Sequence, residues 1–136
     1  MIFSSRFGNR FRKPKSVWIR GEDAAARFMK KQGCRVLARN LRLPIGEIDL
    51  LCLDRASDSI VIVEVKARVR TSDATPDPES SITAAKKRKL VTLAKAISKR
   101  DEYQGKGIRI DVVAVVFAPD QTKPIDIRHY HSAVGS

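Results

Sequence analysis

The 136-residue sequence predicts one α/β domain, a central sheet covered by helices on both sides. Three observations predict it. The length suits a single core and leaves little chain for a second. Two segments with helical spacing, 21–33 and 81–100, are set among runs rich in Val, Ile and Leu. Those runs are apolar on both faces, as strands sandwiched between helices must be. The resulting order is α-β-β-β-α-β with a small addition, and residues 17–130 form the domain.

Residues 1–16 read as a basic, flexible arm, with Pro14 barring a continuous helix into the domain. From Gly21 to Gly33, Ala25, Phe28, Met29 and Gln32 recur at helical spacing, and Gly33 suits a C-cap. Trp18 is expected in the core, closing over this helix. Cys34–Leu43 gives a first strand, Glu47–Leu53 a second and Ile60–Ala67 a third. Alternation places Glu64 and Lys66 on the face of Ile60 and Ile62, with Val61, Val63 and Val65 opposite. Val69–Ser80, with its Thr75-Pro76-Asp77-Pro78 run, is the expected flexible loop. The second helix has a stripe of Ile82, Lys86, Leu90, Leu93 or Ala94, and Ile97. Ile108–Phe117 is a strongly β-prone strand, Ile125–Tyr130 a short edge strand, and 131–136 a flexible tail.

The net charge of +12 favours a polyanionic partner, nucleic acid before an anionic membrane or an acidic protein. Residues 1–20 hold Arg6, Arg10, Arg12, Lys13, Lys15 and Arg20 with no acid, and Lys86-Lys87-Arg88-Lys89 forms a second basic run. Two cysteines, Cys34 and Cys52, read as small buried thiols in a reducing compartment. They are too few, with two histidines, for a zinc cluster of the Cys/His type. No apolar run approaches spanning length, no membrane role is expected, and the N-terminus lacks the apolar segment of a secretory signal. The expected location is the cytoplasm.

Acids inside apolar strands need a reason, because uncompensated buried charge is costly. Asp49 and Glu64, on neighbouring strands, are placed to share one hard cation, with the Val65 carbonyl as a further ligand. Lys66 is then placed to orient an attacking water and offset charge on a phosphate. The bland alternative is a salt-bridge network of the same three residues. Glu22 is either a further metal ligand or a favourable charge in a helix's first turn. Glu47, two residues from Asp49, is a helper or an arginine's partner. Asp111 either buttresses Lys66 or an arginine from behind, or pairs with Arg109; the structural role is favoured. Lys86 lies in line with the buried stripe and is aimed at a phosphate, whereas Lys87, Arg88 and Lys89, extended by Arg68 and Arg70, form a patch for a nucleic-acid backbone. Phe7, Phe11 and Trp18 interleave with basic residues, as rings that stack on bases do. His129 is not proposed as a base.

The stretches GEDAAARFMKKQGCRVLARNLRLPIGEIDLLCLDRASDSIVIVEVKAR, AAKKRKLVTLAKAI and RIDVVAV closely resemble the bacterial YraN family over roughly residues 17–117. Members are predicted nucleases of the restriction-endonuclease-like, PD-(D/E)xK superfamily. The resemblance implies a three-layer α/β/α fold with a mixed sheet. It implies Glu22 as the helix acid, Asp49 as the metal acid, Glu64 and Lys66 as the E-x-K pair, Lys86 at the second helix's basic run and Asp111 as the last core-strand acid. The loop after Arg70 departs from the family pattern, lacking a glycine and carrying TPDPES. The function so implied is Mg²⁺-dependent cleavage of DNA, including branched or repair intermediates, with Mn²⁺ able to substitute, RNA a further candidate substrate and a homodimer a suitable assembly. The rivals are a non-catalytic nucleic-acid-binding module and a basic adaptor for an acidic protein.

Overall fold

The computed structural model describes residues 16–134. The basic arm, with Phe7 and Phe11, lies outside the described residues apart from Ser16, as do 135 and 136. Five strands make one sheet in the order β1-β2-β3-β4-β5: β1 Cys34–Leu43, β2 Gly46–Asp54, β3 Ser59–Val69, β4 Gly107–Phe117 and β5 Pro124–Tyr130. β1, β2 and β3 are antiparallel neighbours, β3 and β4 run parallel, and β5 returns antiparallel to β4. Helix α1, Val17–Lys31, covers one face, and α2, Ala84–Ser98, covers the other as the crossover that a parallel β3–β4 pair requires. This is the expected α/β/α class with a mixed sheet.

Alternation along β3 divides the core. Val61, Val63 and Val65 pack with Ala24, Ala25, Ala26 and Met29 of α1, together with Val113, Val115 and Phe117. Ile60 and Ile62 pack with Leu90, Leu93, Ala94 and Ile97 of α2. Cys34 and Cys52 are free, buried thiols in the α1-side core, and burial pushes Cys52 up to about 12.

Several boundaries differ from expectation, each for a local reason. α1 begins four residues early, at Val17, because Ser16 caps it: its hydroxyl accepts from the Ile19 N–H at 3.2 Å. Trp18 consequently sits on the outer face of the first turn, 43% exposed, rather than in the core. Gly21 is buried inside the helix, where its missing side chain lets α1 approach β3. α2 starts at Ala84, where Thr83 accepts from the Lys86 N–H at 3.1 Å; a 3-10 turn, Pro78–Ser81, precedes it.

The segment expected as a flexible loop is clasped to β5. Asp77 accepts from Arg70 at 2.8 Å and from Arg128 at 3.2 Å, and Glu79 forms an ion pair with Arg128 at 3.1 Å and accepts from the Tyr130 hydroxyl at 2.5 Å. The expected tail also starts tied down, since the Ser132 N–H donates to Asp111 and the Ala133 N–H to the Ile110 carbonyl.

Candidate functional site

Pairing between β2 and β3 runs from Asp54↔Ser59 to Leu50↔Val63 and stops there. Beyond that point β2 remains paired with β1, and β3 with β4, so the sheet opens between its second and third strands. Asp49 bridges the opening: its carboxylate accepts from the Val65 N–H at 2.8 Å, a ladder bond taken over by a side chain. A residue's N–H and C=O point to the same side of an extended strand, so the Val65 carbonyl also faces the opening.

Three acids converge there. Asp49, Glu64 and Glu22 are 5%, 3% and 2% exposed, and Asp49 lies in hydrogen-bonding contact with Glu64. Burial, then the Glu64 charge and more weakly that of Glu22, push Asp49 up to about 7 against the lowering effect of the Val65 N–H. Glu22 is held from β1, where Asn40 donates its side-chain amide to Oε1 at 3.1 Å. Its Oε2 is buried without a hydrogen-bond partner. Because α1 begins at Val17, Glu22 is in its second turn, too deep for the favourable-first-turn role. Two ammonium groups reach Glu64 Oε2: Lys66 at 3.7 Å from its own strand, and Lys86 at 3.6 Å from the start of α2. A cation in a helix's first turn opposes the helix dipole, a cost that Glu64 offsets.

Other residues singled out in the sequence lie around this centre or away from it. Lys87, Arg88 and Lys89 are exposed beside Lys86. Arg68 is half-buried, and Arg70 is committed to Asp77. Glu47 pairs with Arg42 at 3.3 Å, the arginine-partner alternative. Asp111 is not with Lys66: it lies on the α1 side of the sheet, bonded to Arg109 Nε at 3.0 Å, His129 at 2.8 Å and the Ser132 N–H at 3.0 Å. Arg109 also reaches Asp54 at 2.7 Å and holds that carboxyl below its ordinary value.

Two features escaped sequence reasoning. Asn40 sits in β1 with φ at 51°, a left-handed conformation that asparagine tolerates better than most residues. An asparagine among Arg and Leu was the available signal. His129 is a strand residue with a side chain only 7% exposed, set edge-on against Phe28.

A family profile described as "Uncharacterised protein family UPF0102" matches residues 21–115. The chain belongs to this family. The matched span of this UPF0102 member takes in Glu22, Asp49, Glu64, Lys66, Lys86 and Asp111, and leaves both histidines outside. A UPF0102 protein of Pelotomaculum thermopropionicum is 42% identical over 97 residues, covering 71% of this chain and 78% of its own. One of Desulfosudis oleivorans is 41% identical over 95 residues, 70% of this chain and 74% of its own. One of Renibacterium salmoninarum is 43% identical over 96 residues, 71% of this chain and 78% of its own. A solved chain described as "Structure of EndoMS-dsDNA2 complex" overlays loosely, with TM-score 0.42 and 16% identity, over 82% of this chain and 41% of that one. No helix among the described residues is long and apolar enough to cross a membrane.

Proposed function

We propose that this chain is a cytoplasmic, metal-dependent phosphodiesterase acting on DNA, with Mg²⁺ as the working ion and Mn²⁺ able to replace it. The observation that carries this reading is the convergence of Glu22, Asp49 and Glu64, three buried acids in a chain of net charge +12. The donor set fits a hard cation. Asp49 and Glu64 supply two carboxylates, Val65 a carbonyl, and the unpartnered Glu22 Oε2 a further oxygen or an anchor for coordinated water. Such an ion, when bound, polarises a phosphate and acidifies water.

The chain's own residues do the rest. Lys66, about a quarter exposed and beside Glu64, presents an ammonium to the attacking water or the scissile phosphate. Lys86 faces the same opening from α2, and a substrate phosphate can draw it away from Glu64. Lys87, Arg88 and Lys89 bind the polynucleotide backbone without reading its sequence.

Incubation with branched, flap, single-stranded and duplex DNA in Mg²⁺ or Mn²⁺ tests the proposal. Cleavage is expected from the wild type and not from Asp49→Ala or Lys66→Ala. If no substrate is cut, or if both variants cut as the wild type does, the proposal is wrong. One observation favours the non-catalytic binding module: Lys66 and Lys86 already compensate Glu64 without a metal. In that case DNA binds, salt-sensitively, and is never cut.

A further inference from the structure

Both histidines of the chain, His129 and His131, meet at one buried carboxylate. One ring nitrogen of each and one oxygen of Asp111 all lie within 4.8 Å of one another. The two imidazoles face each other with centroids 3.9 Å apart and planes tilted by 37°. We infer that Asp111, His129 and His131 form a second cation site, separate from the carboxylate cluster, that takes a transition-metal ion of the Zn²⁺ class.

The donor chemistry selects the ion. Two imidazoles and one carboxylate suit Zn²⁺, Ni²⁺ or Co²⁺, whereas Mg²⁺ demands oxygen ligands and holds its waters. The geometry is near what such an ion needs. Ligands at about 2.0–2.1 Å around a tetrahedral Zn²⁺ stand roughly 3.3 Å apart. His129 Nε2 and Asp111 Oδ2 are 2.8 Å apart, joined by a hydrogen bond, so an ion replaces that shared proton with a small opening. With the ring proton carried on its other nitrogen, His129 Nε2 is free to bind the ion. His131 is exposed and turns to close the third side, leaving a fourth position for water.

The surroundings hold two of the three ligands in place. Asp111 is fully buried, and its Oδ1 accepts from Arg109 Nε and the Ser132 N–H, both at 3.0 Å, so Oδ2 can turn to an ion without freeing the carboxylate. Arg109 also donates to Oδ2, at 3.3 Å from Nε and 3.2 Å from the Nη2 nitrogen, contacts an ion must share or displace. Its charge is nonetheless balanced: Asp54 and Asp111 together leave the cluster one negative charge in excess. Phe28 fixes the His129 ring edge-on from α1. An ion here fastens β4 to the end of β5 and to the residues that follow it.

The test uses the full chain without a polyhistidine tag, stripped with chelator, as wild type, His131→Ala, His129→Gln and Asp49→Ala. Calorimetry with Zn²⁺ and visible spectra with Co²⁺ read binding and coordination; thermal unfolding reads the fastening. One Zn²⁺ per Asp49→Ala chain is expected, with the intense bands of a four-coordinate Co²⁺ site and a higher unfolding temperature with Zn²⁺; the wild type takes in addition any ion held by the carboxylate cluster. His131→Ala removes only an exposed ring, leaves the metal-free fold unchanged, and weakens binding by at least about tenfold. Asp49→Ala, which disables the carboxylate cluster, keeps this Zn²⁺, so the two sites fail independently. Absence of saturable binding, or equal binding by the wild type and both histidine variants, overturns the inference.

Discussion

At the scale of the single residue, Asp49 is pulled in two directions. Its carboxylate is needed as an anion to accept the Val65 N–H and to meet a cation, yet burial and the Glu64 and Glu22 charges raise it to about 7 from an ordinary value of 3.8. Between those values the unfolded chain has released the proton and the folded chain has kept it. The native state therefore binds more protons, and stability falls as pH rises, by at most about 1.4 kcal/mol per unit for this one group. The contribution is fully present below 3.8 and is lost as pH climbs to about 7. Urea unfolding in chelator across that window is expected to show this decline in the wild type and a flatter profile in Asp49→Asn. If the cluster holds Mg²⁺ as proposed, the ion competes with the proton and is expected to stabilise the wild type near neutrality and much less in acid. Parallel profiles for the two proteins would mean that Asp49 is not the strained acid of the cluster.

At the scale of elements, the cluster depends on how closely α1 lies on β3, and Gly21 sets that distance. A Cβ at Gly21 would stand 2.4 Å from the Ala67 Cβ, far inside contact. Alanine normally gains about 1 kcal/mol over glycine within a helix, but overpacking costs about 1–3 kcal/mol, and the contact is backbone-near on both sides, so the clash wins. Gly21→Ala is expected to lose up to roughly 2 kcal/mol of stability, to lift the adjacent Glu22 from Asp49 and Glu64, and to shrink the stabilisation by Mg²⁺. Ala67→Gly in the same chain should restore both. Chemical unfolding with and without Mg²⁺ reads the outcome; an undiminished Gly21→Ala would show that the approach is not limiting. This contact also marks the limit of the sequence. Alternation in Ile60–Ala67 put Glu64 and Lys66 on the face of Ile60 and Ile62, the one α2 covers, because a strand side chain has only two faces to choose between. The opening between β2 and β3 was not legible, since it depends on where pairing stops and not on which residues pair. The helix start was missed because Gly21 looked like a boundary, whereas the capping Ser16 lay upstream. Asp111 was legible as an acid needing partners and Arg109 as one of them; His129, from another strand, was not.

At the scale of the whole molecule, the charge of +12 includes five basic residues of the arm, and the remainder comes from the described residues. Many cations of the described residues are spoken for: Arg39 by Asp23, Arg70 and Arg128 by Asp77, Lys106 by Asp58 and Arg109 by Asp54 and Asp111. Lys87, Arg88 and Lys89 are exposed at the α2 terminus that also delivers Lys86 to Glu64, so on the proposed reading a polynucleotide drawn to them would pass the three acids. Affinity for DNA is then expected to fall with salt, the slope of log K against log salt being about −0.9 per phosphate neutralised. Replacing Lys87, Arg88 and Lys89 together by alanine is expected to make that slope shallower by up to about 2.7. The same charge removed at the other end of α2, by Lys95→Ala, Lys99→Ala and Arg100→Ala, should change it little. Asp49→Ala should leave the slope intact, because it alters the cluster and not the phosphate contacts. Fluorescence anisotropy over a salt series separates these outcomes. Equal flattening by both triple variants would mean that DNA answers to the net field alone, and that the α2 terminus does not steer it towards the opening in the sheet.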